Sequence, residues 1–199
     1  MRAWHFLYDG NKLRDGRTAP DDGVMLVHQR QPRLCQSGLH ASLRPSNALH
    51  YAPGNILCLV KCGGVVIHAA DKLVCTERTI IARLDATEML GYYARMQALK
   101  ATEYWAAPDV VLEYLMTGDE SLREAANNAT YNASDSYSAI KATYNAARSA
   151  ADSAAHSAAR AAAFNAGSAA AYATTYEAAI SAANSEFDAL VFECFENVL

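Results

Sequence analysis

Few side chains in this 199-residue chain have both the type and the spacing to do chemistry: His5, His40 and His50, the pair Glu77-Arg78, and the cysteines at 58 and 62. A zinc ion needs ligands converging as a tetrahedron, and Cys58 and Cys62 invite that reading. They sit in NILCLVKCGG, which reads as a strand, and four residues along a strand set two side chains about 13 Å apart. No metal site is expected there. The five cysteines, Cys35, Cys58, Cys62, Cys75 and Cys194, are an odd set without framework spacing, as expected of thiols in a reducing compartment. The histidines are read first as hydrogen-bonded structural residues and second as ligands. Glu77-Arg78, close to Arg83 and Asp85, reads as a solvated strand face or an ion-pair ladder. The sequence contains no glycine-rich phosphate loop, no Ser-His-Asp order and no His-x-x-x-His pair. Arg30, Arg33 and Arg44 flank the turn at GLHAS, but the nearly neutral charge around them argues against a nucleic-acid footprint.

The charge is unevenly distributed along the chain. Residues 1–118 carry thirteen Lys/Arg against eleven Asp/Glu, whereas residues 119–199 carry four against ten. That shift predicts two domains, 1–118 and 119–199, of different electrostatic character. Apolar residues make up 52% of the chain, enough for a core, although much of that count is alanine, which adds volume with little transferable area. With no apolar run of membrane-spanning length and no apolar leader after MRAWHFLYDGNK, a soluble, cytoplasmic protein is expected.

In the first part, AWHFLYD reads as a strand leading into a turn at Asp9-Gly10-Asn11 and a short run at Lys12–Arg14. Val24–His28 reads as a further strand. SGLHASLRPSNALHYAPG reads as a turn and then a helix begun at Pro45 and ended by Pro53-Gly54. ILCLVKC, VVIHA and DKLVCTERTIIARLD follow as strands separated by turns at Gly63-Gly64 and Ala70-Asp71. Helices are predicted for ATEMLGYYARMQALK, capped by Asp85 or Thr87, and from Pro108 to Thr117-Gly118. The expected fold class is α+β, a small mixed or antiparallel sheet domain followed by an alanine-rich all-α helical bundle.

After residue 118 the pattern Ser121-x-x-Glu124 predicts a capping box, and the alanines that follow have the highest helix propensity of any residue. Over 146–163 alanine pairs recur every four residues. Each step advances the pair about 40° round a helix of 3.6 residues per turn, so no single neighbour can cover the stripe. Breaks are expected near residues 132–136 and at Gly167. Tyr131, Tyr137, Tyr144, Tyr172 and Tyr176 punctuate the alanines. They read first as plugs between helices and second as a partner-binding face. The apolar tail FDALVFECFENVL is expected to dock back onto the α+β domain or to make a dimer contact.

Two resemblances follow from these residues. The series GLHAS, ALHYAPGNILCLV, DKLVCTERTI and DATE, then PDVVLEYLMTGDESLREAA and the alanine-rich tail, resembles an uncharacterised family of phage and bacterial proteins. That resemblance implies an accessory protein of phage or prophage origin and hands over no activity. The order Trp4-His5, Gly38-Leu39-His40-Ala41 with Ser46, Ala48 and Tyr51, ILCLV, and Thr76-Glu77-Arg78 is similar to the ADP-ribosyltransferase fold. There the resemblance implies NAD as cofactor, with His5, His40, Ser46 and Tyr51 in the binding region, His5 on the adenosine ribose, and Glu77 as the catalytic carboxylate on the nicotinamide ribose. His40 stands where that family stacks a tyrosine on nicotinamide, and Phe6 where it has a glycine.

The leading expectation is a non-enzymatic interaction protein in the cytoplasm of a bacterial host cell, with no cofactor, that binds and inhibits a host protein such as a defence component. An ADP-ribosyltransferase-like enzyme, or a degenerate nucleotide-binding relative, is the first alternative. A structural module that forms a homo-oligomer is the second.

Overall fold

A computed structural model describes residues 1–102, 107–132 and 176–196. By their contacts the chain forms two compact units, Met1–Ala86 with Phe187–Leu199, and Thr87–Glu186. The change of charge and composition at residue 119 therefore falls inside the second unit.

The first unit is an antiparallel sheet of five strands, β1 (Arg2–Leu7), β2 (Met25–Val27), β3 (Leu39–Ala41), β4 (Ile56–His68) and β5 (Leu73–Asp85), with a short helix α1 (Pro45–Leu49) after β3. The order is β1-β4-β5-β2, and β3 also pairs with β5. Trp4 and Ser42 exchange backbone hydrogen bonds of 2.7 and 2.9 Å, tying the end of β3 back to β1. Strands β1, β4, β5 and β3 thus form a closed ring.

Alternation along the strands sorts the side chains into two layers. Ala3, His5 and Leu7 share a face with Cys58, Val60 and Cys62, and with Arg78 and Ile80 across from them. The apolar members of this face, together with Ala19, Ala41, Leu73 and Cys75, make one buried cluster. Trp4, Phe6, Leu57 and Leu59 point the other way and are also buried. Against this second face lies the C-terminal half of a 21-residue helix that runs Tyr176–Glu196 and is labelled α5 below. The Trp4 ring meets Phe195 edge-on at 4.9 Å and Phe192 at 5.6 Å, so the apolar tail docks onto the sheet.

Three local expectations need correction. Gly63-Gly64 does not turn the chain: β4 continues through it as one 13-residue strand. Gly64 takes φ +65°, the register shifts between Gly63 and Val66, and the Val65 N–H donates to Thr76 Oγ1 at 2.9 Å. Two glycines here absorb an extra residue as a bulge. The segment read as a turn at GLHAS contains β3, because the free edge of β5 at Leu73–Cys75 recruits Leu39–Ala41 into the sheet. The expected capping box at Ser121 is replaced by Asp119, whose carboxylate accepts from the Ser121 N–H at 2.9 Å and opens a 3-10 turn, Glu120–Leu122. An aspartate two residues earlier satisfies the same orphan donors before Ser121 can. The turn at Asp9-Gly10-Asn11 is as expected, with positive φ at Gly10 and Asn11 and paired Tyr8 and Lys12.

The second unit, in its described part, holds α2 (Thr87–Ala101), α3 (Asp109–Thr117), α4 (Arg123–Asn132) and the first half of α5. Ala98, Val111, Tyr114, Leu115 and Ala126 form its buried cluster. Alanine at these contacts lets helix axes approach closely. Tyr93 Oη donates to the Ala183 carbonyl at 3.1 Å, and Glu186 accepts from Gln97 at 2.7 Å and from Lys100, which joins α2 to α5. Tyr137, Tyr144 and Tyr172, and the alanine-pair repeat of 146–163, lie outside the described residues. Tyr131 and Tyr176 lie in α4 and α5.

Candidate functional site

The candidate residues divide into three places. His5 lies on β1 opposite Cys58, whereas Glu77 lies on β5 opposite Gly63. Along β4 those partners are five residues apart, a span of about 17 Å. They also have opposite parity, so His5 shares a face with Arg78 and Glu77 does not. The Glu77 side chain lies against the backbone of Gly63 and Gly64, at the bulge. The structure therefore does not bring His5 and Glu77 together.

Tyr51 and Ser46 are elsewhere again. Tyr51 is exposed; its hydroxyl donates to the Asp71 carboxylate and accepts from Lys72 Nζ at 2.9 Å, with that ammonium 4.3 Å from the ring centre. Donation from Tyr51 holds the Asp71 carboxyl below its usual range. Ser46 is buried in the first turn of α1, where its N–H donates to Asp188 Oδ1 at 2.7 Å and its Oγ has no hydrogen-bond partner among the described residues. Asp188 also accepts from Arg44 Nε at 2.7 Å. Arg44 precedes α1 without offering a side-chain cap, so a carboxylate from α5 takes the place that a local capping residue would fill.

Arg78 meets His40 at its backbone, while the His40 ring lies on the face of β3 opposite the cluster that holds Leu39 and Ala41. Arg78 Nη1 donates to the His40 carbonyl at 2.6 Å, and His40 Nε2 accepts from the Cys35 N–H at 3.0 Å. Burial, then the Arg78 charge and His40, push the His5 imidazole well below its ordinary value of 6.5. His40 is lowered as well, chiefly by burial. Both imidazoles are thus neutral at pH 7. Because the folded value of His5 lies below the unfolded one, the unfolded chain takes up the proton first as pH falls. Stability is then full above about pH 6.5 and falls below it, by at most about 1.4 kcal/mol per pH unit for one group. Denaturant unfolding at pH 7.5, 6.0 and 5.0 is expected to show that loss, and His5→Gln to flatten it.

A separate feature lies on the outer side of the sheet. Strand β2 is an edge; Val24 just before it and Met25 and Val27 on it are 51%, 54% and 47% exposed, with Val65 of the bulge 55% exposed. Val27, His28, Gln29, Arg30, Gln31, Pro32, Val65 and Thr76 line an open groove of about 520 Å³. His28 Nε2 is sealed in this wall without a hydrogen-bond partner among the described residues.

Residues 21–91 match the family model described as a domain of unknown function, DUF7666. The matched stretch contains β2, β3, α1, β4 and β5, while β1 and the docked half of α5, which complete the first unit, lie outside it. No curated protein and no solved structure matches the chain.

Sequence reasoning read Arg78 as part of a solvated strand face or ion-pair ladder, whereas it is 5% exposed and pairs with no carboxylate among the described residues, and it did not single out Asp188. Arg78 carried a readable signal, because in strand alternation it shares a face with Ile80 and so places a cation in core register. Asp188 carried none, since its partners are more than 140 residues away.

Proposed function

We propose that this chain is a non-enzymatic interaction protein that receives a bacterial host protein along the β2 edge. The observation that supports this most is the exposed row Val24, Met25 and Val27 beside the groove at Val65. Sheet edges are ordinarily blunted by charge, proline or a covering element, and exposed apolar residues on an edge favour addition of a partner strand. The opposite faces of His5 and Glu77 weigh against ADP-ribosyl transfer, since both would have to face one NAD-binding cleft. Inhibition of a host defence component is the specific form, drawn from the resemblance to phage accessory proteins, and places the protein in the cytoplasm of the host cell. The acidic part, ten carboxylates against four cations over 119–199, suits a basic partner, and its alanine-rich segment is read as a helical bundle.

The test is capture from a bacterial extract on the immobilised full chain, followed by reconstitution with the purified captured protein. Wild-type chain is expected to retain one protein in stoichiometric amount, and Met25→Asp with Val27→Asp to lose it. Both side chains are exposed, so the double variant stays folded. Retention of the same protein by the double variant would remove the β2 edge from the account. Capture of nothing above background would overturn the proposal.

A further inference from the structure

The outer side of β2 is an open sheet edge whose hydrogen-bonding pattern follows from its register. Met25, Leu26 and Val27 pair with Thr79, Arg78 and Glu77 of β5, and the next residue, His28, donates its N–H to the Thr76 carbonyl at 2.7 Å. Hydrogen-bonded pairs alternate along an antiparallel ladder. Leu26 and His28 therefore bond to β5, and the N–H and C=O groups of Met25 and Val27 turn away from it. Among the described residues no strand lies on that side. β2 has neither a charged residue nor a proline to blunt the edge, and the side chains of Met25 and Val27 are exposed.

This edge is complementary to itself. Its N-terminal end is acidic, Asp21-Asp22, and its C-terminal end is basic, Arg30 followed by Arg33. Asp22 and Arg30 are each four residues from Leu26, so a two-fold axis at Leu26 lays the acidic end of one copy on the basic end of the other. The same axis sets Met25 of one copy opposite Val27 of the other, and these are the residues whose backbone groups point outward. Opposed residues in an antiparallel pair share a face. Met25 of one copy thus stands beside the groove of about 520 Å³ that Val27, Pro32, Val65 and Thr76 help to line in the other. An unbranched, flexible methionine side chain adapts to such an irregular space. Asp22 already accepts from Arg83 Nε at 2.7 Å, whereas Asp21 beside it is exposed, as is Arg30.

We infer that the β2 edge is a homodimer interface: a second copy of this chain adds its β2 antiparallel about a two-fold axis at Leu26, with Met25 in the facing groove and Asp21 against Arg30 at both ends. Each Met25–Val27 pair exchanges both backbone hydrogen bonds, and the sheet continues from one copy into the other. The association closes at two copies, because the operation that joins the edges uses both of them. This inference does not rest on a host protein binding there. One edge holds one added strand, so a host protein that takes the edge displaces the second copy.

Sedimentation equilibrium of the purified full chain over a range of concentrations is the test. Wild type is expected to pass from monomer to dimer with no larger species, and Met25→Asp to stay monomeric; that side chain is exposed, so the variant folds. Charge reversal outside the strand tests the register. Asp21→Lys and Arg30→Glu are each expected to weaken the dimer about tenfold or more, since each sets like charges together at both ends. An equimolar mixture of the two variants is expected to recover wild-type dimerisation. In the mixed dimer the introduced lysine meets the introduced glutamate at one end, and Asp21 meets Arg30 at the other. A chain that is monomeric at every concentration would overturn the inference. So would a dimer that Met25→Asp leaves intact, or a mixture that associates no better than its components. These measurements contain no bacterial protein, so their outcome is independent of capture from an extract.

Discussion

Trp4→Ala is expected to lower the unfolding free energy by about 3–5 kcal/mol, the range for deleting a large aromatic side chain from a packed core. Trp4 is 4% exposed, belongs to the strand that completes the sheet, and is the aromatic contact between β1 and the docked tail, meeting both Phe192 and Phe195. Its backbone also carries the two hydrogen bonds that close the ring through Ser42. Those survive in the alanine variant, so the loss reports packing and not strand pairing. Phe195, 2% exposed, is the matching test: Phe195→Ala alone is also destabilising, and the double variant is expected to fall short of the sum because the two rings share one contact. Urea denaturation of the four proteins measures the coupling. Strict additivity would mean that the tail does not pack on Trp4.

Asp188→Ala is expected to cost about 2–3 kcal/mol, most of it from one buried N–H. The Asp188 carboxylate accepts from Arg44 and from the Ser46 N–H, both at 2.7 Å. The two halves of that arrangement are unequal. The Arg44 side chain is 52% exposed, so water replaces its partner and the ion pair contributes little. Ser46 is 2% exposed, and without the carboxylate its N–H is stranded in the first turn of α1. Arg44→Gln is therefore expected to cost under about 1 kcal/mol, and Asp188→Asn less than Asp188→Ala, because the amide oxygen keeps one acceptor. Equal losses for Arg44→Gln and Asp188→Ala would assign the contact to charge instead of capping.

The sequence made most of the first unit legible because its strands are long, apolar and punctuated. ILCLV and DKLVCTERTIIARLD carry enough β-branched and apolar residues to be read as strands, and Pro45, Thr87 and Pro108 mark where helices begin. What misled at Gly63-Gly64 was that a bulge and a hairpin turn use the same residue for the same reason: both need φ > 0 at one position. Only the partner strand distinguishes them, and Thr76, which receives Val65, is distant in sequence. β3 was hidden for a related cause, since three residues carry no period and their strand character comes from the β5 edge they join.

For the candidate site, residue types were visible and faces were not. His5 and Glu77 occur in the order that the ADP-ribosyltransferase fold uses, but order does not fix register. A single bulge or a one-residue slip decides which side of a sheet a carboxylate occupies. The hydrogen bond from Arg78 to the His40 carbonyl depends on β3 pairing with β5, a contact that no local pattern announces. The role of Asp188 depends on a helix end returning to the sheet across most of the chain.

The central claim is that this chain works by binding a partner and not by turning over NAD. It is tested most directly by release of nicotinamide from NAD by the purified full chain, alone and with bacterial extract, compared between wild type and Glu77→Gln. Glu77 lies on the outer side of the sheet from His5, so the account predicts no release above the enzyme-free rate and no difference between the two proteins. Nicotinamide release that the wild type supports and Glu77→Gln abolishes, with both proteins folded by circular dichroism, would contradict it.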